Sequence, residues 1–241
     1  MDGKKNQNET GIDCGGVCGK CIIEPVLEDI RVSEVVSIPG GKDGIYDFSG
    51  KVSNPNNDHG ASSFTYTFLA KDASGETIFE ENGTSFILPK ETKYVVEIAM
   101  NLPSKPSVVE LVIADIQWEK FVEYKEKPNI SVYNRVFNRT TSSVEFAEVK
   151  GLVANNSEFD FTDVDIVIVL RDDREEIVAL HKTDMQTLPS MQQRDFRLIW
   201  PDPFVGEVQK IEVQVDTNVY RSDTFIRQYM PNPTELFHRI R

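Results

Sequence analysis

The sequence predicts an all-β protein in which two consecutive antiparallel β-sandwiches follow a short cysteine-rich segment. Three observations predict this fold class: landmarks of the first half return in the second, each half reads as short alternating strands, and all three cysteines fall within eight residues near the start. We expect the cysteine-rich segment at 1–23, the sandwiches at 24–126 and 127–230, and a C-terminal tail with a short helix signal at 231–241.

Composition and charge limit the functions that the chain can have. Its 241 residues, 39% hydrophobic and 27% charged, are typical of a folded protein of one or two domains. The formal net charge of −13 argues against a nucleic-acid partner, because binding to phosphates needs clustered Lys and Arg. No apolar run approaches the roughly 20 residues of a membrane-spanning helix, and no export signal follows Met1. We therefore expect membrane attachment only through an anchor upstream.

The three cysteines, Cys14, Cys18 and Cys21, favour disulfides, with two alternatives. The spacing Cys18-x-x-Cys21 also suits a zinc ligand pair or a redox-active pair. Zinc has few further ligands here, since no His lies within 37 residues of Cys21, and a thioredoxin-like role would need a βαβ pattern that the sequence lacks. Disulfides suit a segment that is too small to fold around a hydrophobic core.

The same segment is rich in oxygen-bearing side chains, which are the ligands that calcium prefers. Their order does not match the EF-hand loop, so ordinary turn-forming roles are favoured and calcium is the alternative. The candidate calcium ligands are Asp2, Asn6, Glu9 and Asp13.

The two halves share four landmarks, in the same order and about 100 residues apart. The matching pairs are Asp47–Asn54 with Glu148–Asn155, Phe64–Asp72 with Val164–Asp172, Leu88-Pro89 with Leu188-Pro189, and Val108–Ile113 with Val208–Val213. One such match could arise by chance, but four in order indicate a repeated domain.

Each repeat reads as β-strands separated by turns. Phe64, Tyr66 and Phe68 alternate with Thr65 and Thr67, so one set of side chains is predicted to face a core and the other to point outward. In the second repeat the buried set is Val164, Ile166 and Ile168, and the outward set is Asp165 and Val167. Further strands are predicted at Tyr94–Met100, Val108–Ile116, Phe196–Trp200 and Ile211–Val215. Turns are predicted at Pro39-Gly40-Gly41, Asn54-Pro55-Asn56-Asn57, Ser74-Gly75 and Asn82-Gly83.

The boundary between the repeats is expected near Glu126-Lys127-Pro128, after a charged stretch that follows the first repeat's last strand. The helix signal is terminal: Asn232 is suited to cap a helix that has Pro233 in its first turn and continues through Thr234–Ile240.

Both repeats follow a pattern of Gly-x-Val-x-Asn, an alternating strand that ends in Leu-x-Asp (Ala-x-Asp in the first repeat), and Leu-Pro. Its carriers are Gly50, Val52, Asn54, Phe68, Ala70, Asp72, Leu88 and Pro89, and then Gly151, Val153, Asn155, Ile168, Leu170, Asp172, Leu188 and Pro189. This pattern resembles that of small bacterial and archaeal immunoglobulin-like domains, which are named for an FxLYD strand motif. The aromatic-plus-tyrosine part is only partly kept. The resemblance implies two tandem immunoglobulin-like antiparallel β-sandwiches, in which Gly and Asn close a hairpin or bulge and Asp turns the chain.

The segment Asp2–Cys21 resembles a second motif, C-x-D-G-x-x-N-x-x-E-x-x-x-D-C-G-G-x-C-x-x-C, which is found in microbial surface proteins. That motif has a fourth cysteine just before its Asp-Gly. The resemblance implies a disulfide knot in an oxidising environment, with the missing partner cysteine upstream of Met1.

No catalytic signature is found, so the chain is predicted not to be an enzyme. We expect His59, His181 and His238 to be isolated surface residues, and Asp172-Asp173 and Glu175-Glu176 to be solvated turn charges. Packing is favoured over sugar stacking for Trp118 and Trp200. Five Asn-x-Ser/Thr sequons occur, at Asn8, Asn82, Asn129, Asn138 and Asn155.

These observations favour a non-catalytic extracellular or cell-envelope structural or adhesion module, such as a subunit of a surface assembly with a protein or cell-surface partner. The first alternative is a carbohydrate- or ligand-binding sandwich. The second, which the sequence supports least, is a metal-dependent enzyme or chaperone-like module that uses the Cys/Asp segment.

Overall fold

The computed structural model describes residues 26–124, 127–142 and 144–230. The predicted cysteine knot, the predicted boundary residue Glu126 and the predicted helix Thr234–Ile240 lie outside the described residues.

The regular structure of the described chain is almost all β-strand, as predicted. The first repeat contains β1 (Arg31–Pro39), β2 (Ile45–Ser53), β3 (His59–Lys71), β4 (Thr77–Ile87), β5 (Thr92–Asn101) and β6 (Val108–Lys120). The second repeat contains β7 (Ile130–Arg139), β8 (Ala147–Asn155), β9 (Val164–Arg171), β10 (Ile177–Met185), β11 (Gln193–Trp200) and β12 (Lys210–Thr217). A 3₁₀ turn (Val219–Arg221) and one short helix, α1 (Asp223–Tyr229), follow β12.

The strands form four antiparallel three-stranded sheets, and the two repeats have the same topology. The sheet orders are β1-β2-β5 and β4-β3-β6 in the first repeat, and β7-β8-β11 and β10-β9-β12 in the second. Each of these sheets takes its strands from one repeat. In both repeats the chain crosses between sheets after the second strand, as it does in immunoglobulin-like sandwiches. The prediction of an all-β sandwich protein is confirmed.

The alternating strands build the cores as predicted. Phe64 and Phe68 on β3 are fully buried, and Phe68 meets Phe48 of the opposite sheet with ring centroids 5.6 Å apart. On β9 the fully buried set is Val164, Ile166, Ile168 and Leu170.

A buried asparagine holds the same loop in each repeat. Asn54 Nδ2 donates to the backbone oxygens of His59 and Leu88 at 2.7 and 2.9 Å, and Asn155 Nδ2 donates to those of Phe159 and Leu188 at 2.7 and 3.0 Å. Each Oδ1 accepts a backbone N–H two residues later, at 3.0 Å in both repeats. The asparagine therefore joins the end of its strand to the Leu-Pro segment, which explains why these landmarks recur together.

The predicted aspartate turns are also present. Asp72 Oδ1 accepts the backbone N–H groups of Ser74 and Glu76, and Asp172 Oδ1 accepts those of Arg174 and Glu176, at 2.8 to 3.0 Å. These bonds satisfy the tight β3–β4 and β9–β10 connections.

The prediction for the repeat glycines was wrong. Gly50 and Gly151 lie in the middle of β2 and β8, where a Cβ would overlap the side chains of Leu111 and Phe196. Glycine is therefore used for close packing of the core, and not for a hairpin or bulge. The predicted turn at Asn82-Gly83 was also wrong, because both residues lie within β4 and a Cβ on Gly83 would overlap the ring of Tyr66.

The helix α1 was missed from the sequence. It begins after Ser222, and Phe225 and Tyr229 lie one turn apart on it, with ring centroids separated by 4.8 Å. The detectable signal was a serine followed by two aromatic residues at i, i+4 spacing, but seven residues are too few for a clear helical period.

One carboxylate of the second repeat gives a pH-dependent contribution to stability. Glu148 on β8 lies 2.5 Å from Lys150 Nζ and 2.6 Å from Arg197 Nε, and these two cations lower the pKa of Glu148 from 4.5 to about 2. A lowered carboxyl pKa stabilises the fold fully above the unfolded value, and the contribution is lost as the pH falls toward about 2. We expect Glu148→Gln to lower the Tm at pH 6 and the difference from wild type to shrink between pH 4.5 and 2. The exposed Glu80→Gln is the control, and a difference that stays constant with pH would contradict the assignment.

Candidate functional site

The main feature beyond the two cores is an extensive contact between the repeats, which begins with β9. Val167 and Val169 point away from the core of their own repeat, yet they are only 8% and 1% exposed. They pack with Leu180 against side chains of the first repeat, namely Ile38, Tyr94 and Val96. The expectation that Val167 points outward was thus right for its own sandwich, but the residue is covered by the other repeat. The nearly continuous apolar run Val164–Leu170 is typical of a strand that is buried on both faces.

Polar side chains of the second repeat satisfy the backbone of β5, which is an edge strand. The backbone N–H of Tyr94 donates to Gln214 Oε1 at 2.6 Å, and Gln214 Nε2 donates to the backbone oxygen of Tyr94 at 3.0 Å. Lys182 Nζ donates to the oxygen of Val96 at 3.0 Å and pairs with Glu97 at 2.6 Å. An edge strand presents unpaired N–H and C=O groups, and here the neighbouring repeat supplies partners for them.

Arg171 connects the two repeats at one end of this interface. Its side chain is 6% exposed and makes ion pairs with Glu34 of the first repeat at 2.6 Å and Glu212 of the second at 2.8 Å. It also donates to Tyr94 Oη at 2.7 Å and to the oxygen of Glu175 at 2.6 Å. This planar cation therefore has several acceptors in fixed positions, as a buried guanidinium requires.

A second buried charge cluster lies at the start of β5. Lys93 Nζ is 3.1 Å from Asp216 Oδ2, and the two side chains are 5% and 6% exposed. The same Nζ lies 3.9 Å from the ring centroid of Phe86. Glu91 is also buried, and its Oε2 accepts the Leu88 N–H at 2.8 Å. Burial, and then the negative charge of Asp216, raise the pKa of Glu91.

An aromatic cluster closes the end of the interface near the boundary. Tyr220 of the 3₁₀ turn enters the first repeat, where its hydroxyl donates to the Ile87 oxygen at 3.2 Å and where a Cβ on Gly60 would overlap it. Its ring meets Phe121 at 5.7 Å, and Phe121 meets Phe225 of α1 at 6.2 Å. The missed helix therefore packs the second repeat against the chain that leaves β6.

Two adjoining clefts open between the repeats, with volumes of about 570 and 410 Å³. They share Thr84, Ser85 and Asp165. The larger cleft is lined mainly by hydroxyl, amide and charged groups, which include Ser62, Ser63, Gln117, Asp163, Asn218 and Arg221. Such a lining can bind a polar ligand through hydrogen bonds, and its described residues bring no histidine to a serine for nucleophilic chemistry.

The candidate disulfide and calcium residues cannot be compared with the structure. The cysteines Cys14, Cys18 and Cys21 and the candidate calcium ligands Asp2, Asn6, Glu9 and Asp13 lie outside the described residues. Among the residues that are described, no group of three or more His, Cys, Asp or Glu side chains is placed to hold a metal ion.

The prediction of isolated surface histidines was wrong for His59, which is 7% exposed and has Nδ1 2.8 Å from Asp58 Oδ1. His181 is half-buried, 5.1 Å from the ring of Trp200. Trp200 lies in the second core and donates from Nε1 to the Leu180 oxygen at 3.0 Å, so it offers no exposed stacking face. Trp118 is half-buried against the first core. Packing therefore explains both tryptophans.

The sequons differ in accessibility. Asn82, Asn129 and Asn138 are exposed, whereas Asn155 is 1% exposed and makes the loop hydrogen bonds described above. If the chain is secreted from a host that glycosylates sequons, we expect glycans at the three exposed sites and none at Asn155 in the folded product. Glycopeptide mass spectrometry measures the occupancy of each site. A glycan on Asn155 in folded protein would contradict the buried position.

None of the described helices is long and apolar enough to span a membrane. No family model and no curated protein matches the chain. Solved structures with similarity include a transglutaminase from red sea bream, with 10% identity and a TM-score of 0.24. The alignment covers 80% of this chain but only 29% of the transglutaminase, so this chain corresponds to less than a third of that protein's length.

Proposed function

We propose that this chain is a non-catalytic structural or adhesion module of an extracellular or cell-envelope protein, in which two immunoglobulin-like repeats act as one rigid unit. The interface between the repeats carries the proposal. Domains on a flexible string need little contact with their neighbours. Here the two repeats are joined by two buried charge clusters, an aromatic cluster and an apolar strip, in which Val167, Val169 and Leu180 pack on Ile38, Tyr94 and Val96. A rigid unit of this kind can hold a partner-binding surface at a fixed distance and angle.

The similarity of each repeat to FxLYD-type domains and of the N-terminal segment to the surface-protein cysteine motif supports the same proposal. We propose a protein or cell-surface partner for the module, because its repeats and its N-terminal segment resemble those of surface proteins.

Rigidity and location need separate tests. Small-angle scattering should fit a single conformation with the repeats side by side, and a distribution of inter-repeat distances would contradict the rigid unit. Antibodies against the protein should label intact cells of its source as strongly as permeabilised cells. Labelling that requires permeabilisation would contradict an exterior location.

A second candidate function is binding of a carbohydrate or another polar ligand, and the 570 Å³ cleft favours it. A glycan array tests it directly, with Gln117→Ala and Asn218→Ala as cleft variants and the exposed Asn129→Ala as control. Binding that both cleft variants abolish would support this candidate. No binding, or binding that the cleft variants leave unchanged, would exclude the cleft as a glycan site.

A further inference from the structure

We propose that Lys93 and Asp216 become joined by an intramolecular amide bond, with Glu91 as the acid that carries the proton, so that the two repeats are covalently linked.

The reacting groups are held close together, and their side chains are only 5% and 6% exposed where they line the 410 Å³ cleft. Lys93 is the second residue of β5 in the first repeat and Asp216 lies near the end of β12 in the second, yet Nζ and Oδ2 are 3.1 Å apart. Phe86 covers the amine, with its ring centroid 3.9 Å from Nζ. The described residues offer this Nζ one carboxylate within ion-pair distance, although an ammonium has three protons to donate. A buried ion pair with so few hydrogen bonds is costly, and formation of a neutral amide removes both charges.

The reaction is a condensation that needs no oxidant or cofactor. Transfer of a proton from the ammonium within the cluster gives a neutral amine and a neutral carboxylic acid, which burial favours over two separated charges. The nitrogen lone pair attacks Cγ of Asp216 and forms a tetrahedral intermediate. As this intermediate collapses, the new bond between Nζ and Cγ is kept. The nitrogen gives up a second proton, and one oxygen of the former carboxyl group leaves with two protons as water. The balance is one ammonium and one carboxylate giving one amide and one water.

Glu91 is placed to carry protons in this sequence. It precedes Lys93 by two residues, and the Leu88 N–H fixes one of its oxygens at 2.8 Å. Glu91 and Asp216 both line a small cavity of about 20 Å³, which is enough for one water molecule. Glu91 Oε1 lies 3.7 Å from Lys127 Nζ, and burial raises the pKa of Glu91, which favours the protonated form that can donate to the departing oxygen.

The fold itself does not require these residues. Strand register shows which residues of the other repeat occupy the equivalent positions. Arg194 of the second repeat is equivalent to Lys93, and Ala114 of the first repeat is equivalent to Asp216. Arg194 and Ala114 are both exposed. The amine, the carboxylate and the acid therefore occur together at the contact between the repeats, and not as a constant part of each sandwich.

The first test is the mass of the folded full-length chain after reduction and alkylation. We expect the mass calculated for the alkylated chain minus one water, and a branched peptide in a digest that contains both Lys93 and Asp216. A protease site inserted between Glu126 and Lys127 gives a second readout, because the two halves should stay together on a reducing denaturing gel after cleavage. The full calculated mass, or loss of water without the branched peptide, would overturn the proposal.

Two variants separate the role of Glu91 from general effects on the interface. Glu91→Gln should return the full mass, and its halves should separate after cleavage. Lys182→Met, which removes a different cross-repeat ion pair, should keep the link. An unchanged link in Glu91→Gln would overturn the role of the acid, and loss of the link in Lys182→Met would overturn the assignment of the chemistry to this cluster.

Discussion

Asn155→Ala is expected to destabilise the protein by about 3 kcal/mol or more, although it removes only a small polar side chain. The substitution leaves the oxygens of Phe159 and Leu188 and the N–H of Ser157 without their side-chain partner. Each buried group that loses its hydrogen bond costs about 1–3 kcal/mol. Urea unfolding measures the change as a shift of the midpoint at constant slope.

The repeat provides its own comparison for this experiment. Asn54→Ala removes the equivalent bonds to His59 and Leu88, so we expect a loss of similar size. Asn156→Ala changes the exposed neighbour and is expected to alter stability by less than about 0.5 kcal/mol. If Asn155→Ala were as mild as Asn156→Ala, the loop would be held by its backbone alone.

Local chemistry explains which parts of the fold could be predicted. Asp72 accepts from backbone groups of its own turn, so its role follows from residue type and spacing. The alternating strands were predictable for the same reason, because the period of two depends only on the strand. The hairpin or bulge role predicted for Asn54 was wrong, because its side chain reaches the Leu88 oxygen, 34 residues away. Gly50 and Gly83 were misassigned because their role is to admit Leu111 and Tyr66, which come from other strands.

The interface could not be predicted, because it depends on which outer faces meet. Val167 is apolar on a face that would normally contact solvent, and only the position of Tyr94 and Val96 shows what covers it. Lys93 and Asp216 are 123 residues apart in the sequence, and neither stands in a recognisable motif. The apolar run in β9 was the available signal, since a strand buried on both faces needs a second partner.

Arg171→Met is expected to weaken the interface between the repeats and to lower the free energy of unfolding by about 3–5 kcal/mol. Methionine fills most of the volume but removes the buried guanidinium that Glu34 and Glu212 share, so that these acids keep only their pairs with lysines, Lys51 at 3.4 Å and Lys210 at 3.1 Å. Removing one partner of a buried ion pair is costly because the remaining charge has lost its solvation. Thermal unfolding followed by calorimetry measures both the loss and the number of transitions.

Arg174→Met is the matched control. That arginine is 71% exposed and pairs with Asp172 and Glu176 of its own turn, so we expect a change below about 1 kcal/mol. If repulsion between the two acids causes the loss, Arg171→Met combined with Glu34→Gln and Glu212→Gln should recover part of it. A loss that the triple variant does not recover would instead assign the effect to packing around Tyr94.

The number of thermal transitions shows whether Arg171 couples the two repeats or stabilises only the second one. Because Arg171 contacts Glu34 across the boundary, its loss should weaken the coupling between the repeats as well as the second sandwich. We expect one thermal transition in the wild type and two in Arg171→Met. In the variant, the Tm of the first repeat should fall less than that of the second. A single transition shifted to lower temperature would mean that the apolar strip and the aromatic cluster couple the repeats without this ion pair.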